Sequence, residues 1–334
     1  MQLNRTYIIA EIGGNFTDFK TAKKLIDLAA ACKVDAIKLQ TYRADTLATK
    51  QAFFEMENTG ITSQYDLFKR YEISETLHQR IFKYAGSKHL DWLSTPSHPN
   101  DVDMLERLGV KIYKIGSDDA VNIPFLKYIA KKNKPIIMAT GMCTMQEVRN
   151  SVNVITRTGN KKLILLHAVT SYPTHPTDVN LLALKTMMQE FPNYSIGYSD
   201  HTLGINACLA AAALGAKVIE KHFTYDKKAK GPDHMISADA AEMDQLVRGV
   251  REIEVMLGDG IKRPAPGEKL TRLNNRKSIV VEKSISKGKL LTTDNLAVKR
   301  PGRGLGPNHY ERILGKKALH NLLKDSLLSL KDFR

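Results

Sequence analysis

The chain has 334 residues, of which 43% are hydrophobic and 25% charged, and its formal net charge is +15 at pH 7. This length predicts one large domain with a small one, or two of medium size, and no apolar stretch reaches the roughly 18 residues that cross a bilayer. The three cysteines, Cys32, Cys143 and Cys208, are widely spaced without a CxxC pair, which argues against a disulfide framework and against a thiolate zinc site.

The N-terminal residues, MQLNRTYIIAEIGG, lack the basic segment, long apolar core and small-residue cleavage site of a secretory signal. We therefore expect a cytoplasmic protein that does not associate with membranes. The positive charge suits an anionic ligand. Because the basic residues are spread along helix-like segments and no recognised nucleic-acid motif with interleaved aromatic residues is present, we expect no nucleic-acid partner.

Strand-like and helix-like segments alternate eight times between residue 6 and about residue 257. The strand candidates are, in chain order, TYIIAEIGG, AIKLQTY, DWLSTP, KIYKIGS, PIIMATG, LILLHAV, SIGYSDH and KVIEKHF. Amphipathic segments lie between them, and AAEMDQLVRGVREIEVML follows the last one. Eight such units in about 250 residues predict an α/β fold of the TIM (β/α)8 barrel type. An open doubly wound sheet is the alternative, because the number of units does not establish closure.

Two segments interrupt or follow this alternation. Segment 43–66, RADTLATKQAFFEMENTGITSQYD, is too long for an ordinary connection, and we interpret it as an active-site lid or an extra packed hairpin. The barrel is predicted over 1–258, and a Gly-, Pro- and charge-rich linker over 259–276. A small domain follows over 277–334, with short strands near SIVVEK and LAVKRPG and a short helix in YERIL. Its size predicts marginal stability unless it leans on a partner surface.

In a barrel of this type the chemistry occurs at the carboxyl ends of the strands. Nearly every strand candidate has polar or ionisable residues there, namely Glu11, Lys38, Gln40, Thr95, Lys114, Ser117, His167, Ser199, His201, Glu220 and His222. A single histidine in such a place is more often structural than a ligand. So many of these residues on one rim predict a functional site, because unpaired buried charge is costly.

The histidines of the last two strands predict a metal site. Strands about 4.8 Å apart allow His201 and His222 to share one divalent cation, and two imidazoles with nearby carboxylates suit Mn²⁺, Fe²⁺, Co²⁺ or Zn²⁺. Glu220 and Asp233 are candidates for the outer shell or for a third ligand. Two protein ligands leave positions for water and substrate, as a catalytic metal requires. The alternative is a pair of structural histidines bonded to strand-end carbonyl groups.

Lys38 and Lys114 lie within otherwise apolar strands. Buried lysines of this kind either form a Schiff base or hold a phosphate or carboxylate group. Two of them, flanked by the hydroxyl groups of Thr95, Ser117 and Ser199, favour anion binding. A Schiff-base aldolase and a catalytically silent sugar-binding protein remain the alternative functions.

Taken together, these segments resemble the sialic acid synthase family, whose members condense phosphoenolpyruvate with an N-acylated amino sugar. The matching segments are AEIGGNF, AIKLQTY, STPSHPNDVDMLERLGVKIYKIGS, KPIIMATGM, LLHAVTSYPT, IGYSDHTLG, VIEKHFT, GPDH and VKRPGRGLG. They cover almost the whole chain in the family's order, and SDHT, EKHFT and KRPGxG are the most specific. The resemblance implies an eight-stranded barrel followed by a small antifreeze-like (SAF) domain. It also implies a homodimer in which each SAF domain covers the partner's active site.

The resemblance further implies ligands for the metal and for phosphoenolpyruvate. His201 and His222 would hold a divalent ion, for which Mn²⁺ is expected and Mg²⁺ or Co²⁺ are alternatives. The residues that would hold phosphoenolpyruvate are Lys38, Thr95, Lys114, Ser117 and Ser199. In the family chemistry the metal polarises the open-chain aldehyde, carbon 3 of phosphoenolpyruvate attacks it, water adds to carbon 2, and phosphate leaves by carbon–oxygen cleavage.

Catalytic and sugar-binding roles are implied in the same way. The catalytic residues would be Glu11, Glu220 and Asp233, with Glu11 as a proton acceptor for the water. The sugar-binding residues would be Asn58, Asp119, Thr170, Tyr172 and Arg300, the last reaching across from the other subunit. At position 119 the acetylmannosamine enzymes carry Glu, and at position 170 the family often has Asn. These departures leave the acceptor open between N-acetylmannosamine, its 6-phosphate, and a 2,4-diacetamido-6-deoxyhexose as used by legionaminate or pseudaminate synthases.

Overall fold

The computed structural model describes residues 5–56 and 60–334. The chain divides into two compact units, Met1–Gly258 and Asp259–Arg334. Its strands are β1 (Tyr7–Glu11), β2 (Ala36–Thr41), β3 (Phe53–Met56), β4 (Gly60–Ser63), β5 (Asp91–Pro96), β6 (Tyr113–Ile115), β7 (Ile136–Ala139), β8 (Leu163–Ala168), β9 (Ser195–Asp200), β10 (Val218–His222), β11 (Ser278–Val281) and β12 (Leu296–Lys299).

Eight of these strands close into a parallel barrel in the order β1-β10-β9-β8-β7-β6-β5-β2. Closure depends on β1, which pairs with β10 on one side and with β2 on the other. The predicted (β/α)8 barrel is therefore confirmed, and an open doubly wound sheet is excluded. All eight strand candidates of the sequence are strands of this barrel.

The helices mostly begin where the sequence supplies a cap. Asp18, Ser74, Thr144 and Asp239 each accept a hydrogen bond from a backbone N–H in the first turn of the helix that follows. The helices are α1 (Phe19–Ala31), α2 (Ala44–Leu47), α3 (Gln64–Tyr71), α4 (Glu75–Ser87), α5 (Pro99–Arg107), α6 (Ile123–Ala130), α7 (Met145–Arg157), α8 (Ala183–Glu190), α9 (Asn206–Ala213), α10 (Ala240–Leu257), α11 (Lys269–Asn275) and α12 (Tyr310–Ile313). Within the described ranges, none of them is long and apolar enough to cross a membrane.

Alternate residues of the barrel strands belong to two separate apolar cores. Ile8 and Ala10 lie in the large core between the strands and the helices, whereas Ile9 lies with Ile137 and Ile164 in the core that fills the barrel. This follows from the period of two along a strand. Two residues beyond Ile9, the same interior register is occupied by Glu11. The polar residues at the strand ends thus continue the inward-facing rows of the barrel interior.

The segment between β2 and α4 carries additional structure. It contains α2, then the antiparallel hairpin of β3 and β4, in which Phe53 pairs with Ser63, and then α3. The rings of Phe54 and Tyr42 both pack edge-on against Phe68 of α3. The predicted extra hairpin in 43–66 is therefore confirmed, and aromatic contacts attach it to the rest of the barrel unit.

The second unit has its own small core around β11 and β12. These strands pair antiparallel, and Ile279, Val281, Leu291 and Leu328 are buried between them and the segments that follow. The predicted strands and the helix in YERIL are present. The predicted linker 259–276 is not irregular throughout, because α11 occupies its C-terminal part. The segment KLTRLNN contains several good helix formers directly after the Pro-Gly-Glu turn.

A buried histidine with two hydrogen-bond partners in the barrel unit predicts that stability depends on pH. His78 of α4 lies with Nε2 2.9 Å from Thr41 Oγ1 and Nδ1 2.9 Å from the Ser74 carbonyl oxygen. Burial lowers the pKa of His78 to about 4. The unfolded chain therefore binds this proton more tightly than the folded one, and the stabilisation present above pH 6.5 is lost as the pH falls toward 4.

We expect wild type to lose about 3 kcal/mol more unfolding free energy than His78→Gln between pH 7 and pH 4, since each pKa unit corresponds to about 1.4 kcal/mol. Urea unfolding at a series of pH values measures this difference. His89→Asn provides the control, because it removes an imidazole from an exposed position. Superimposable profiles of wild type and His78→Gln would show that His78 is not the titrating group.

Candidate active site

A cavity of about 500 Å³ opens at the carboxyl ends of the barrel strands. Most of the residues predicted for the site line it, namely Lys38, Thr95, Lys114, Ser117, Thr170, Tyr172, Ser199, His201, Glu220, His222 and Asp233. They come from β2, β5, β6, β8, β9 and β10 or from the loops that follow these strands. The parallel register brings them together, because Glu220 lies opposite Ser199 and Glu11 lies opposite both His222 and Lys38.

Two lysines share the carboxylate of Glu220 in the floor of this cavity. The Lys38 Nζ and Lys114 Nζ atoms lie 3.5 and 3.6 Å from Glu220 Oε1, and Ser199 Oγ donates to the same oxygen at 3.0 Å. Lys38 also forms a salt bridge with Glu11 and donates to Thr95 Oγ1 at 3.1 Å. All of these charged groups are almost completely buried, so their attractions are poorly screened by solvent.

The environment sets the charge of each of these groups. Burial opposes the ammonium form of Lys38, but Glu11 and Glu220 outweigh it and raise the pKa of Lys38. Burial lowers the pKa of Lys114, and burial raises the pKa of Glu11. Burial also opposes the ionised form of Glu220, yet Lys114 and Lys38 hold the pKa of Glu220 below its ordinary value. An anionic ligand beside the two lysines would favour the ammonium form of both.

His201 and His222 present neutral imidazoles to the cavity. Their ring centroids are 5.4 Å apart. His201 Nδ1 lies 2.7 Å from the Val169 carbonyl oxygen, which can only accept, so Nδ1 carries the proton and Nε2 the lone pair. Burial lowers the pKa of His201 to about 4 and the pKa of His222 far below its ordinary range. Neutral rings with free lone pairs are what a divalent cation requires.

The donor set fits a metal bound by two histidines. His222 Nδ1 is buried without a hydrogen-bond partner in the described part of the chain and lies 3.6 Å from Asp233 Oδ2. Among described residues, no group of three or more His, Cys, Asp and Glu side chains is placed to hold an ion. Glu220 is instead held by the two lysines, and Asp233 lies beside the ring of His222.

Asp233 approaches the site because a glycine leaves room for it. Gly14 has a φ of +75°, and a Cβ atom there would lie 2.6 Å from Asp233 Oδ2. Burial, together with the charge of Glu11, raises the pKa of Asp233 to about 7. Gly14 in the loop after β1 and Asp233 in the loop after β10 thus meet at the same side of the cavity.

Among the predicted site residues that the structure describes, Glu11, Asp119 and Arg300 are not part of the cavity lining. Glu11 lies behind Lys38, in direct contact with it. Asp119 is not among the residues that line the cavity, and its carboxylate accepts from Asn122 Nδ2 at 2.8 Å, while its neighbour Asp118 lines the cavity; the sugar-binding role of Asp119 stays a prediction. The turn that follows β6 at Gly116 breaks the strand alternation, so spacing along the strand no longer decides which aspartate faces inward. Asn58 lies outside the described residues, and Arg300 is an exposed residue of the second unit.

Sequence reasoning named none of the apolar and aromatic residues that form one wall of the cavity. These are Tyr42, Leu47, Phe54, Leu67, Phe68, Tyr71 and Met142, and the polar residues Gln64, Ser97 and Asp118 were not named either. Gln40, which was named as a strand-end residue, also lines the cavity. Several of them come from the hairpin segment and α3. The apolar residues of QAFFEM and YDLFKRY were the available signal, but nothing in their local spacing shows that they reach the strand ends. His167, by contrast, is a strand-end residue that bonds the Val179 carbonyl oxygen at 2.8 Å.

The fold is a closed (β/α)8 barrel with a cavity lined by charged and polar side chains at the carboxyl ends of its strands. Comparison with known proteins identifies the family. The NeuB family model matches residues 25–262, and the SAF domain model matches residues 276–334. The chain belongs to the NeuB family and carries a C-terminal SAF domain, as the sequence resemblance implied.

Individual relatives agree with this assignment over nearly the full length. The N,N'-diacetyllegionaminic acid synthase of Campylobacter jejuni is 40% identical over 98% of this chain and 99% of its own. The human N-acetylneuraminate-9-phosphate synthase is 34% identical over 96% of this chain and 90% of its own. A crystal structure of N-acetylneuraminic acid synthetase from Leptospira borgpetersenii, in complex with citrate, has a TM-score of 0.72 at 33% identity and covers 80% of this chain and 90% of its own.

Proposed function

We propose that this chain is a nonulosonic acid synthase, which condenses phosphoenolpyruvate with the open-chain aldehyde of an N-acylated amino sugar and releases inorganic phosphate. The observation that carries the proposal is the pair of buried lysines beside two neutral histidines in one cavity. The first pair suits a phosphorylated carboxylic acid, and the second suits a metal that binds a carbonyl oxygen. The synthases among its relatives support the same reaction class.

Phosphoenolpyruvate is assigned to the lysine side of the cavity. Lys38 and Lys114 neutralise its phosphate and carboxylate groups, and Thr95, Ser117 and Ser199 donate hydroxyl hydrogen bonds to its oxygens. Ser117 Oγ already accepts from the backbone N–H of Gly141 at 2.9 Å, which fixes the direction of its own hydrogen. The Thr170 hydroxyl is buried with no partner among described residues, and it is therefore available to a ligand. Such preorganised donors bind an anion without first having to reorient.

The metal is assigned to His201 and His222, with Mn²⁺ as the expected ion and Mg²⁺ or Co²⁺ as alternatives. When bound there, it supplies a Lewis acid for the aldehyde oxygen. The lysines hold phosphoenolpyruvate so that its carbon 3 can bond to the aldehyde carbon. Water then adds to carbon 2 and loses a proton, for which Glu11, in contact with Lys38, is the assigned acceptor. The former aldehyde oxygen gains a proton, and the bond between carbon 2 and the bridging oxygen breaks as the carbon-2 hydroxyl loses its proton and becomes the keto group. Of the two protons of the water, one ends on the new sugar hydroxyl and one on inorganic phosphate, so atoms and charge balance.

The apolar wall favours one acceptor over the others. A sugar 6-phosphate would need a cation, and the cationic side chains that line the cavity among the described residues are Lys38 and Lys114, which are assigned to phosphoenolpyruvate. Arg300, proposed below to reach the sugar from the other subunit, is assigned to its N-acyl group. Leu47, Phe54 and Phe68 instead suit a methyl group at carbon 6 and a second N-acetyl group. We therefore propose a 2,4-diacetamido-6-deoxyhexose as the preferred acceptor, ahead of N-acetylmannosamine and its 6-phosphate. Tyr172 and Thr170 are assigned to the sugar as well.

Purified protein incubated with phosphoenolpyruvate, Mn²⁺ and each of these three sugars tests the proposal. We expect phosphate release only when an aldehyde sugar is present, a product mass equal to the sugar plus the pyruvate unit, and the highest kcat/KM for the diacetamido sugar. Phosphate release without a sugar would contradict the reaction. Covalent trapping of the pyruvate unit on a lysine by borohydride would establish the Schiff-base aldolase instead. The absence of any product, with sugar binding retained, would indicate a silent binding protein.

We also propose a homodimer in which the SAF domain of each chain covers the partner's active site and Arg300 reaches the sugar. The corresponding domain limits are 1–258 for the barrel, 259–276 for the linker and 277–334 for the SAF domain. The match of the SAF model to 276–334 supports this division. Arg300 is exposed at the end of β12 in its own unit, so its guanidinium group is free to meet a ligand or another chain.

Subunit complementation tests this arrangement. Arg300→Ala should raise the KM for the sugar more than the KM for phosphoenolpyruvate, and Lys38→Met should be inactive. If Arg300 acts across the dimer, a mixed dimer of the two variants contains one intact site, so an equal mixture should recover about a quarter of wild-type activity at low sugar concentration. Activity that never exceeds the average of the two separate variants would show that Arg300 acts within its own chain or has no role at the site.

A further inference from the structure

A buried ion pair lies directly behind the two histidines. Ser199 and Glu220 face the cavity, and the next residues along β9 and β10, Asp200 and Lys221, are opposite each other in the strand register. Lys221 Nζ donates to Asp200 Oδ2 at 2.6 Å, and both side chains have no exposed surface. Because side chains alternate along a strand, this pair occupies the layer between the barrel and the helices, which is otherwise the main apolar core.

The hydrogen bonds of this pair reach three parts of the barrel. Asp200 Oδ1 accepts from Tyr198 Oη and from the backbone N–H of Thr202, each at 3.0 Å. Asp200 Oδ2 accepts from Thr202 Oγ1 at 3.1 Å and from Cys208 Sγ of α9 at 3.3 Å. Lys221 Nζ also donates to the carbonyl oxygen of Thr202. Asp200 thus receives five donors and is fully satisfied.

These contacts hold the residues on both sides of His201. Asp200 precedes His201, and Thr202 follows it and is bonded to Asp200 and Lys221 through its N–H, hydroxyl and carbonyl groups. Lys221 immediately precedes His222 on the neighbouring strand. The bond between Lys221 and Asp200 therefore joins the two backbone segments that carry the imidazoles, on the side away from the cavity.

Stability alone does not account for this arrangement. Apolar side chains of similar volume can often replace a buried ion pair without loss of stability, because taking two charges out of water is costly. The surrounding layer consists of such apolar side chains. What an apolar pair cannot supply is a fixed direction for the segments to which it is bonded, and directional hydrogen bonds behind metal ligands are known to control their affinity.

We propose that Asp200 and Lys221 are positioning residues, which fix the separation of His201 and His222 so that a divalent cation meets a preformed pair of imidazoles. The inference rests on the metal site assigned under the proposed function. Without the ion pair the segment 200–202 loses its fixed conformation, and part of the binding free energy must be used to order it. The predicted effect is on cation affinity, and at saturating cation turnover should largely recover.

The test measures Mn²⁺ binding to the folded, substrate-free protein by the electron paramagnetic resonance of free Mn²⁺. We expect Asp200→Asn and the double variant Asp200→Leu/Lys221→Met to raise the dissociation constant of Mn²⁺ by about 10- to 100-fold. The melting temperature in the presence of a chelator is recorded in parallel. In assays, the Mn²⁺ concentration for half-maximal activity should rise by the same factor, while the KM for phosphoenolpyruvate stays within about twofold at saturating Mn²⁺.

A matched pair of tyrosine variants tests the positioning role of Asp200 and Lys221 even if the variants of these two residues fail to fold. Tyr198 and Tyr113 are both buried strand residues whose hydroxyl groups bond a carboxylate, Asp200 in one case and Glu106 in the other. Tyr198→Phe should raise the dissociation constant of Mn²⁺ at least about threefold. Tyr113 lies on β6, which is separated from β9 by two strands in the barrel. Tyr113→Phe should therefore leave the dissociation constant of Mn²⁺ unchanged, whatever effect this substitution has on the melting temperature.

The possible failures are distinguishable. If wild type binds no Mn²⁺ or other divalent cation, the metal site of the proposed function is wrong. If wild type binds Mn²⁺ and the folded Asp200 variants and Tyr198→Phe bind it equally well, the ion pair is merely structural and this inference is overturned. A shift in Tyr113→Phe equal to that in Tyr198→Phe would overturn it too, since any loosening of the barrel would then weaken cation binding.

Discussion

Replacing Lys38 by methionine is expected to lower kcat/KM for phosphoenolpyruvate by on the order of 10³-fold or more, since one preorganised donor to a reacting oxyanion is typically worth about 10²- to 10³-fold. The loss of kcat/KM in Lys38→Met is expected to exceed this range, because the full charge of Lys38 also offsets the charges of Glu11 and Glu220. Without that charge, two buried carboxylates face an anionic substrate. Steady-state kinetics with varied phosphoenolpyruvate at saturating sugar measures the effect.

Two further variants make this prediction specific. The first is the double variant Lys38→Met/Glu11→Gln, which removes one positive and one negative charge from the buried ion pairs of Lys38. Compared with Lys38→Met, it should restore stability without restoring activity. Lys134→Met serves as the matched control, because Lys134 is a partly buried lysine paired with Glu106 that does not line the cavity. Near-normal kcat/KM in a folded Lys38→Met variant would rule out the assignment of phosphoenolpyruvate to the lysine side.

Substituting glutamine for His222 is expected to abolish turnover and to weaken Mn²⁺ binding by more than about 100-fold, beyond the loss that an outer partner of a metal site causes. The reason is that His201 and His222 are the two imidazoles that line the cavity among the described residues, so the loss of one removes half of the assigned histidine ligands. His201→Asn should behave in the same way. The loss should persist at high Mn²⁺, in contrast to the Asp200 variants. Equilibrium dialysis followed by metal analysis, alongside the activity assay, measures both quantities.

His167 supplies the matched control for the histidine variants. It too ends a barrel strand, but its Nε2 is occupied by the Val179 carbonyl oxygen. His167→Gln should therefore retain Mn²⁺ binding within a few-fold. Unchanged cation affinity in His222→Gln, or a loss in His167→Gln as large as that in His222→Gln, would contradict a site formed by His201 and His222. Retained turnover in metal-free His222→Gln would contradict the need for the metal.

Local patterns in the sequence were sufficient to predict a barrel and the rows of polar residues at the carboxyl ends of its strands. A strand exposes alternate residues to the same side, so Val218, Glu220 and His222 must share one face wherever the strand lies. Eight repeats of strand and helix leave few arrangements other than a closed barrel. The segments that resemble the sialic acid synthase family then supplied the chemistry, and the family models agree with them.

Local patterns were insufficient where the chain leaves regular structure. The family resemblance implied Asp119, whereas local spacing does not distinguish it from Asp118, and after the turn at Gly116 it is Asp118 that lines the cavity. The apolar wall from Phe54 and Phe68 also depends on how the hairpin segment folds back over the strand ends. The apolar residues of this segment predict that it packs against another part of the chain. They do not predict that they line a cavity for a substrate.

The amino-acid sequence by itself determined the eight strand–helix units and the shared faces of the residues at the strand ends, because these follow from periodicity. Closure of the barrel and the order of its strands were decided by the tertiary structure. Only the tertiary structure decided that Glu220 is shared by Lys38 and Lys114, that Asp119 lies away from the cavity, and that Asp200 and Lys221 pair behind the histidines. Each of these depends on contacts between residues far apart in the chain, whose distances and burial are set by packing.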